Sequence, residues 1–386
     1  MLLTDFATRT ELVYRENRSS YGVWTIGIDY GFSGVKGFSP NKYFCYPNCA
    51  VKKDDAGNML EYTNNDIFIR DDEGTWLVGS RAHDTLSSSD AMNYEAEMYG
   101  RNRYFTPSFR AVMKAGIGIG LASARFRKYK GEPIYIQTGL PPKYKEQDTP
   151  LITEALAGHY DFEMKIGKEP FRRYTIDILP ENIFIMEQPM GSLFSAITDN
   201  NCIQTSKDTA VLKSNTLVFD PGFKTLDLYN ISSGMLSGSE TFDNLGMHEV
   251  FRRTVEEAKK KYGSNLTIPG MQSALKKGYI TSFDRKLMES RHVSFDDILY
   301  KNVQAVCDEA IQKIVSLYDY MRNHDYLIVT GGTGNAWFPY IAEKFKNMES
   351  LQIISANHHD PAVSNTYSNV RGYYLYIVQA ADRQRR

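Results

Sequence analysis

Cysteine is scarce, with Cys45, Cys49, Cys202 and Cys307 the only four in a chain of 386 residues. Cys45 and Cys49 have a C-x₃-C spacing, but no second pair of metal ligands follows, so a zinc framework is not expected. Free thiols in a reducing compartment are the simpler expectation. An excess of charge is lacking too. The 45 Lys and Arg set against 46 Asp and Glu leave a formal net charge of −1, which argues against nucleic acid as the main direct ligand. Nothing in the sequence approaches the ~18 consecutive apolar residues of a membrane span. The opening stretch "MLLTDFATRTELVYRENRSS" has no apolar run of the signal-peptide kind, so a cytoplasmic location is expected. What is present is ordinary for a globular protein. Hydrophobic residues make up 42% and charged residues 24%, and the length suits two domains or one bilobed unit.

Along the chain, strand and helix signals alternate, which predicts an α/β fold. The first 20 or so residues read as a polar extension. "VWTIGIDY" and "GVKGFS" read as a hairpin around a Gly-bearing turn. The stretch from Val51 to Tyr104 is polar and punctuated by "DDAGN", "DDEG" and "SSSD", which suggests a small insertion rather than core. A helix is predicted over Pro107–Lys128, and "PIYIQTGLPP" is a buried strand stopped by two prolines. A helix entered at Pro189 follows two further strands. "NTLVFDPGFKTLDLYNISSG" is a second strand, Gly turn and strand. "LGMHEVFRRTVEEAKKKYG" is an amphipathic helix stopped by Gly263, and a long helix covers the segment that begins "SFDDILYKN". "DYLIVTGGTGNAWFPYIAEKF" reads as a strand, a Gly-rich turn and a helix.

The two strand–turn–strand segments share one plan: an apolar strand, an Asp at its end (Asp29, Asp220), a Gly two residues on (Gly31, Gly222), then a second strand. Such an internal duplication predicts two similar lobes. Glycine turns of this kind turn several backbone N–H groups into one concavity, which suits phosphate oxygens. Carboxylates beside phosphate make sense when a divalent cation such as Mg²⁺ stands between them, and Lys36 would add positive charge. Taken singly, either hairpin could also be an ordinary turn capped by its Asp. Gly331-Gly332-Thr333-Gly334 at the end of a third strand tips the balance toward a nucleotide site, because glycines there let a ligand approach the backbone closely.

These three segments resemble the first phosphate, second phosphate and adenosine motifs of the actin superfamily. The Asp-x-Gly-x₂-Thr-x-Asp run from Asp220 to Asp227 is similar to the plasmid-segregation actins of the ParM/StbA group. "YIQTGLPP" and "MEQPMGSLFSAI" resemble that superfamily's strand and inter-domain helix. The resemblance implies an actin-like (ribonuclease H-like) α/β fold of two duplicated lobes around a nucleotide cleft. Lobe I would be residues 1–190 plus 360–386, with a small subdomain at about 50–106, and lobe II residues 191–359, with a small subdomain at about 250–309.

The resemblance also assigns roles. Asp29, Gly31, Ser33, Gly34 and Lys36 would meet the β- and γ-phosphates, with Gly222, Phe223, Lys224 and Thr225 on the opposed loop. Asp29 and Asp220 would be the metal-side carboxylates, and Gly331, Gly332, Thr333 and Gly334 would border adenosine. Gln188, with Glu187 as the second candidate, would orient the attacking water, and Asp220 would complete the catalytic set. Phe32 departs from the family's small hydroxyl residue, with Ser33 expected to take over its contact; Phe223 and Lys224 replace small residues, and Lys224 either meets phosphate or is solvated. Glu249, Arg252 and Arg253 are open candidates for the adenosine side.

The implied activity is an ATPase that forms filaments with Mg-ATP and moves plasmid DNA through an adaptor protein. The alternatives are a sugar or metabolite kinase, for which no catalytic Asp stands out, and a chaperone, for which no room remains for a peptide-binding domain. Gly116, Gly118 and Gly120 approximate a dinucleotide fingerprint but sit inside a helical stretch, where close packing explains them. His358, His359 and Asp360 read as a surface turn rather than a metal site.

Overall fold

A computed structural model describes residues 6–53, 61–86, 93–94, 96–98, 100–122, 126–284 and 286–383. The chain divides into two compact units. One holds Thr8–Thr205 and the segment from Tyr367 on; the other holds Ser206–Thr366 with Phe6 and Ala7.

The first unit begins with β1 (Glu11–Tyr14), β2 (Trp24–Tyr30), β3 (Gly34–Ser39), β4 (Lys42–Pro47), β5 (Ala50–Lys53), β6 (Ile67–Asp71) and β7 (Gly74–Val78). Helices α1 (Ser80–Thr85) and α2 (Pro107–Leu121) come next. They are followed by β8 (Ile134–Leu140), α3 (Pro142–Leu156), β9 (Gly158–Ile166), β10 (Arg172–Ile178), β11 (Ile183–Glu187) and α4 (Gln188–Ile197). The chain returns to this unit as the C-terminal helix Ser368–Arg383. One sheet has the order β1-β4-β3-β2-β8-β11 and the other β10-β9-β6-β7-β5.

Strand β2 is buried along its whole length because both of its faces are covered. Side chains alternate across a strand, so Ile26 and Ile28 point one way and Gly27 the other. Ile26 and Ile28 press on Gly120 and Gly116 of α2, where an added Cβ would come within 2.9 Å and 2.6 Å of them. A Cβ at Gly27 would lie 2.6 Å from the Val370 carbonyl of the C-terminal helix. The three glycines of α2 are therefore packing residues, as the sequence suggested. Thr106 caps α2 by accepting the Phe109 N–H at 3.2 Å, and Pro107 fills the first turn.

Three sequence expectations change here. The helix predicted to reach Lys128 ends at Leu121, with Ala122 already extended; residues 123–125 lie outside the described part. The opening segment is not a free extension, since β1 pairs with β4 and the Thr10 amide bonds the Ser80 hydroxyl at 3.0 Å. The polar stretch from Val51 contributes core: Ile67, Phe68, Ile69, Leu77 and Val78 are fully buried on the β6–β7 hairpin. Two runs of three apolar residues flank a charged turn there, and average composition hides them.

The second unit contains α5 (Ser206–Lys213), β12 (Thr216–Pro221), β13 (Thr225–Ser232), β14 (Met235–Asp243), α6 (Met247–Tyr262), α7 (Met271–Lys277), β15 (Ile280–Asp284) and β16 (Glu289–Val293). It continues through α8 (Asp296–Leu317), β17 (Tyr326–Val329), α9 (Gly331–Phe345) and β18 (Gln352–Ser355). Its main sheet has the order β14-β13-β12-β17-β18, and β15 and β16 form a ribbon. Helix α6 ends as predicted, with Gly263 left-handed at φ 61°. The Gly-rich turn expected after β17 is instead the first turn of α9. Thr330 alone separates strand from helix, and Gly331 makes the reversal at φ 77°.

The two units share one sheet plan. Strands β4-β3-β2-β8-β11 and β14-β13-β12-β17-β18 are each an antiparallel meander followed by two parallel strands. The duplication read from two short motifs thus extends over whole sheets. The division between units falls at Thr205/Ser206 and Thr366/Tyr367, which keeps α4 whole and packed on the C-terminal helix.

Candidate functional site

In the first unit the phosphate-motif residues lie on the β2–β3 hairpin. Asp29 and Lys36 are register partners, with Lys36 Nζ 3.1 Å from Asp29 Oδ2. Asp29 is buried, and Lys36 is partly exposed. The turn carries Gly31, Phe32 and Ser33, and an added Cβ at Gly31 would lie 2.9 Å from the Gly34 carbonyl. Asn48 holds the turn from below, its side-chain amide donating to the Gly31 carbonyl at 2.8 Å and its backbone N–H to the Ser33 carbonyl at 3.2 Å. Sequence reasoning missed Asn48, although an Asn after a Pro marks a turn.

Phe32, the departure from the family pattern, packs under Arg103, whose guanidinium carbon lies 4.5 Å from the ring centroid. Arg103 also donates to the Tyr30 carbonyl at 3.2 Å. The aromatic residue therefore helps hold a buried cation against the end of β2. A hydroxyl residue there would lose that contact.

Glu187 ends β11, two strands from β2 in the same sheet, and Gln188 opens α4. Both are half-buried. Glu187 Oε2 is enclosed with no hydrogen-bond partner among the described residues.

The second unit brings its candidates together more tightly. Asp220 and Asp227 are register partners on β12 and β13, the positions that Asp29 and Lys36 hold in the first hairpin. One hairpin thus pairs acid with base and its duplicate pairs acid with acid. Asp227 accepts the Thr225 hydroxyl at 3.1 Å and the Thr241 hydroxyl at 2.7 Å. Burial, reinforced by the Asp220 carboxylate and opposed by those hydroxyls, pushes Asp227 up to about 8. The sequence motif included Asp227 but gave it no role.

The turn closes through the Gly222 N–H to the Thr225 carbonyl at 2.7 Å. Helix α9 is tied to that turn, with the Thr333 hydroxyl donating to the Gly222 carbonyl at 2.9 Å. A Cβ at Gly331 would come 2.9 Å from Asp220 Oδ1, and one at Gly334 3.4 Å from Pro221. Gly332 faces Thr366. Phe223 packs edge-on against His248 and Phe251, while its carbonyl accepts the His248 N–H at 2.7 Å. The start of α6 is therefore part of this cluster, and Gly246 is needed there, since its Cβ would lie 2.6 Å from the Phe223 carbonyl oxygen. Lys224 is half-buried beside it.

Of the open candidates on α6, Glu249 is buried and accepts from both Arg252 and Arg253. Arg252's bonds, with those of Arg253, pull its carboxyl down to about 2. Arg253 continues to Glu309 at 2.6 Å. The three residues form one ion-pair network.

No described helix is long and apolar enough to cross a membrane. No curated protein matches the sequence. Residues 27–191 match the family described as actin like proteins N terminal domain. Solved structures resemble the whole chain at low identity. A 15-stranded ParM filament from Clostridium botulinum is 20% identical, with a TM-score of 0.70 over 93% of this chain and 99% of that one. A pCBH ParM non-polymerisable quadruple mutant is 20% identical, with a TM-score of 0.69 over 92% and 99%. Ta0583, an archaeal actin homolog in complex with ADP, is 15% identical, with a TM-score of 0.61 over 93% and 99%. The chain therefore carries the actin-like N-terminal domain over residues 27–191 and has the actin-like fold.

Proposed function

We propose that this protein is an ATPase that polymerises with Mg-ATP into filaments and moves plasmid DNA through an adaptor protein. The observation that carries the reading is the duplicated hairpin, with a buried Asp at the same place in each copy and glycine beside it. The likeness to filament-forming ParM and to an ADP-bound actin homolog supports it.

Asp29, Gly31, Ser33, Gly34 and Lys36 on the first unit, and Gly222, Phe223, Lys224 and Thr225 on the second, are assigned to the phosphates. Gly331, Gly332, Thr333 and Gly334 are assigned to adenosine. The donor set fits Mg²⁺: Asp29 and Asp220 offer hard carboxylate oxygens, and Asp220 is the register partner of a second carboxyl group, Asp227. The absence of a Cβ at Gly331 is what lets the Asp220 carboxylate lie against the start of α9. When bound, Mg²⁺ supplies charge neutralisation to the phosphates. The chain's own contribution is to hold the phosphates on backbone N–H groups and Lys36, and to orient a water through Gln188 or Glu187. The enclosed, unbonded Glu187 Oε2 is an acceptor suited to that water. Filament growth requires a head-to-tail, non-closing contact between copies, switched by the γ-phosphate.

Light scattering and sedimentation with Mg-ATP test the reading. Pelletable polymer that forms with ATP at micromolar protein is expected. No polymer at tens of micromolar protein sinks the filament assignment. Asp220→Ala is expected to stop phosphate release with the fold retained, and unchanged turnover in that variant overturns the site assignment.

A further inference from the structure

Asp208 on α5 and His358 and His359 in the turn after β18 each bring one ligand atom to within 4.8 Å of the others. The sequence offered His358, His359 and Asp360 and read them as a surface turn; the carboxylate that joins the histidines comes instead from Asp208, 151 positions before His359. Asp208 is buried, and its Oδ1 lies 2.7 Å from His359 Nε2. The two imidazole rings stand 4.3 Å apart, tilted by 35°. His358 Nδ1 lies 3.2 Å from the Ser355 carbonyl oxygen.

We propose that Asp208, His358 and His359 form a binding site for a divalent transition ion of the zinc class, separate from the residues assigned to Mg-ATP. Two imidazoles and one carboxylate are the donors that suit zinc, whereas Mg²⁺ and Ca²⁺ prefer oxygen alone. The Ser355 carbonyl accepts Nδ1–H of His358. That bond selects the tautomer whose lone pair is on Nε2, as backbone carbonyls do when they accept from the other ring nitrogen of a metal-bound histidine. At His359 and Asp208 the proton now held between Nε2 and Oδ1 would leave to solvent as the ion takes both atoms. Three protein ligands leave a coordination position for water, so the site is exchangeable rather than closed. Its effect is to tie α5, the first helix of the second unit, to the turn that follows β18.

Titration of the untagged full-length protein with Co²⁺ tests this, read by the visible absorption of a four-coordinate complex and by displacement with Zn²⁺. One equivalent is expected to saturate. His358→Ala keeps the Asp208–His359 bond, so its metal-free thermal midpoint should match wild type while affinity falls at least about tenfold. His359→Ala should lose affinity to a similar extent, and His159→Ala, far in sequence and in the other unit, should not. Absence of saturable binding, or wild-type affinity in the His358 and His359 variants, overturns the site.

Discussion

Lys36 Nζ lies 3.1 Å from Asp29 Oδ2, across the paired strands β2 and β3 where the two residues are direct partners. The carboxylate is buried and the cation is within reach of solvent, so the pair has a closed side and an open side. Replacing Lys36 by Ala would strand the carboxylate. A stability loss of about 1–3 kcal/mol is expected, from charge-assisted bonding alone. ATP affinity should fall at least about tenfold by the same reasoning. Thermal unfolding with and without ATP separates the two effects, and wild-type affinity in the variant would remove Lys36 from the phosphate set.

Gly331→Ala tests the close approach at the start of α9. The residue sits at φ 77° and its Cβ would meet Asp220 Oδ1 at 2.9 Å. The left-handed backbone costs about 1–2 kcal/mol for a residue with Cβ, and the side chain should also displace Asp220. A lower thermal midpoint together with weakened ATP binding is expected. Unfolding scans and nucleotide titration provide the check.

Gly372→Ala should be among the most damaging single-methyl changes in the first unit. An added Cβ would lie 1.7 Å from the Gly191 carbonyl oxygen, where the C-terminal helix crosses α4. Backbone cannot give way as a flexible side chain can, so the helices must separate. Overpacking of this kind costs about 1–3 kcal/mol or more, measurable as a fall in denaturant midpoint. A midpoint like wild type would show that the helices accommodate the methyl group.

Acid sensitivity should have a contribution from His324. Its Nε2 lies 2.9 Å from Asn230 Oδ1, its Nδ1 is enclosed without a partner among the described residues, and burial lowers its pKa from 6.5. The unfolded chain then binds the proton more readily than the folded one. Stability from this group is complete above 6.5 and declines as pH falls from there through the lower folded value. His324→Gln should flatten the stability profile in that window, read by urea melts at several pH values. A profile as steep as wild type would assign the acid loss elsewhere.

Lys42 predicts the opposite test, at high pH. Its side chain is fully buried, 4.7 Å above the Tyr14 ring, and burial pushes its pKa down from 10.5 to about 8. The unfolded chain binds the extra proton between those values, so stability should rise with pH from about 8 to 10.5. Lys42→Met removes a buried charge and should stabilise the protein at neutral pH by about 1–3 kcal/mol. Chemical denaturation at neutral and alkaline pH checks both statements.

The two hairpins that carry the residues proposed for the phosphates were legible because each depends on local spacing. Asp29 to Lys36 and Asp220 to Thr225 each occupy a single hairpin, and the hairpin period shows in the sequence. The supporting residues were not legible, because they come from distant positions. Asn48 under Gly31, Arg103 over Phe32 and Gly246 against Phe223 meet their partners only after the sheets form. Phe32 looked like an exception until Arg103 was placed beside it. The β6–β7 hairpin was missed for a different reason: its apolar runs are short, and the charged turn between them dominates any average.

The first unit is interrupted in sequence by residues 206–366 of the second, and its C-terminal helix covers Gly27 of β2 and packs on α4. During synthesis, residues 206–366 are therefore available before 368–383. The second unit can finish its sheet while the first still has an open apolar face. The order of completion is thus the reverse of the order of appearance, and that waiting face is where a chaperone would be needed and where premature association of nascent chains would begin.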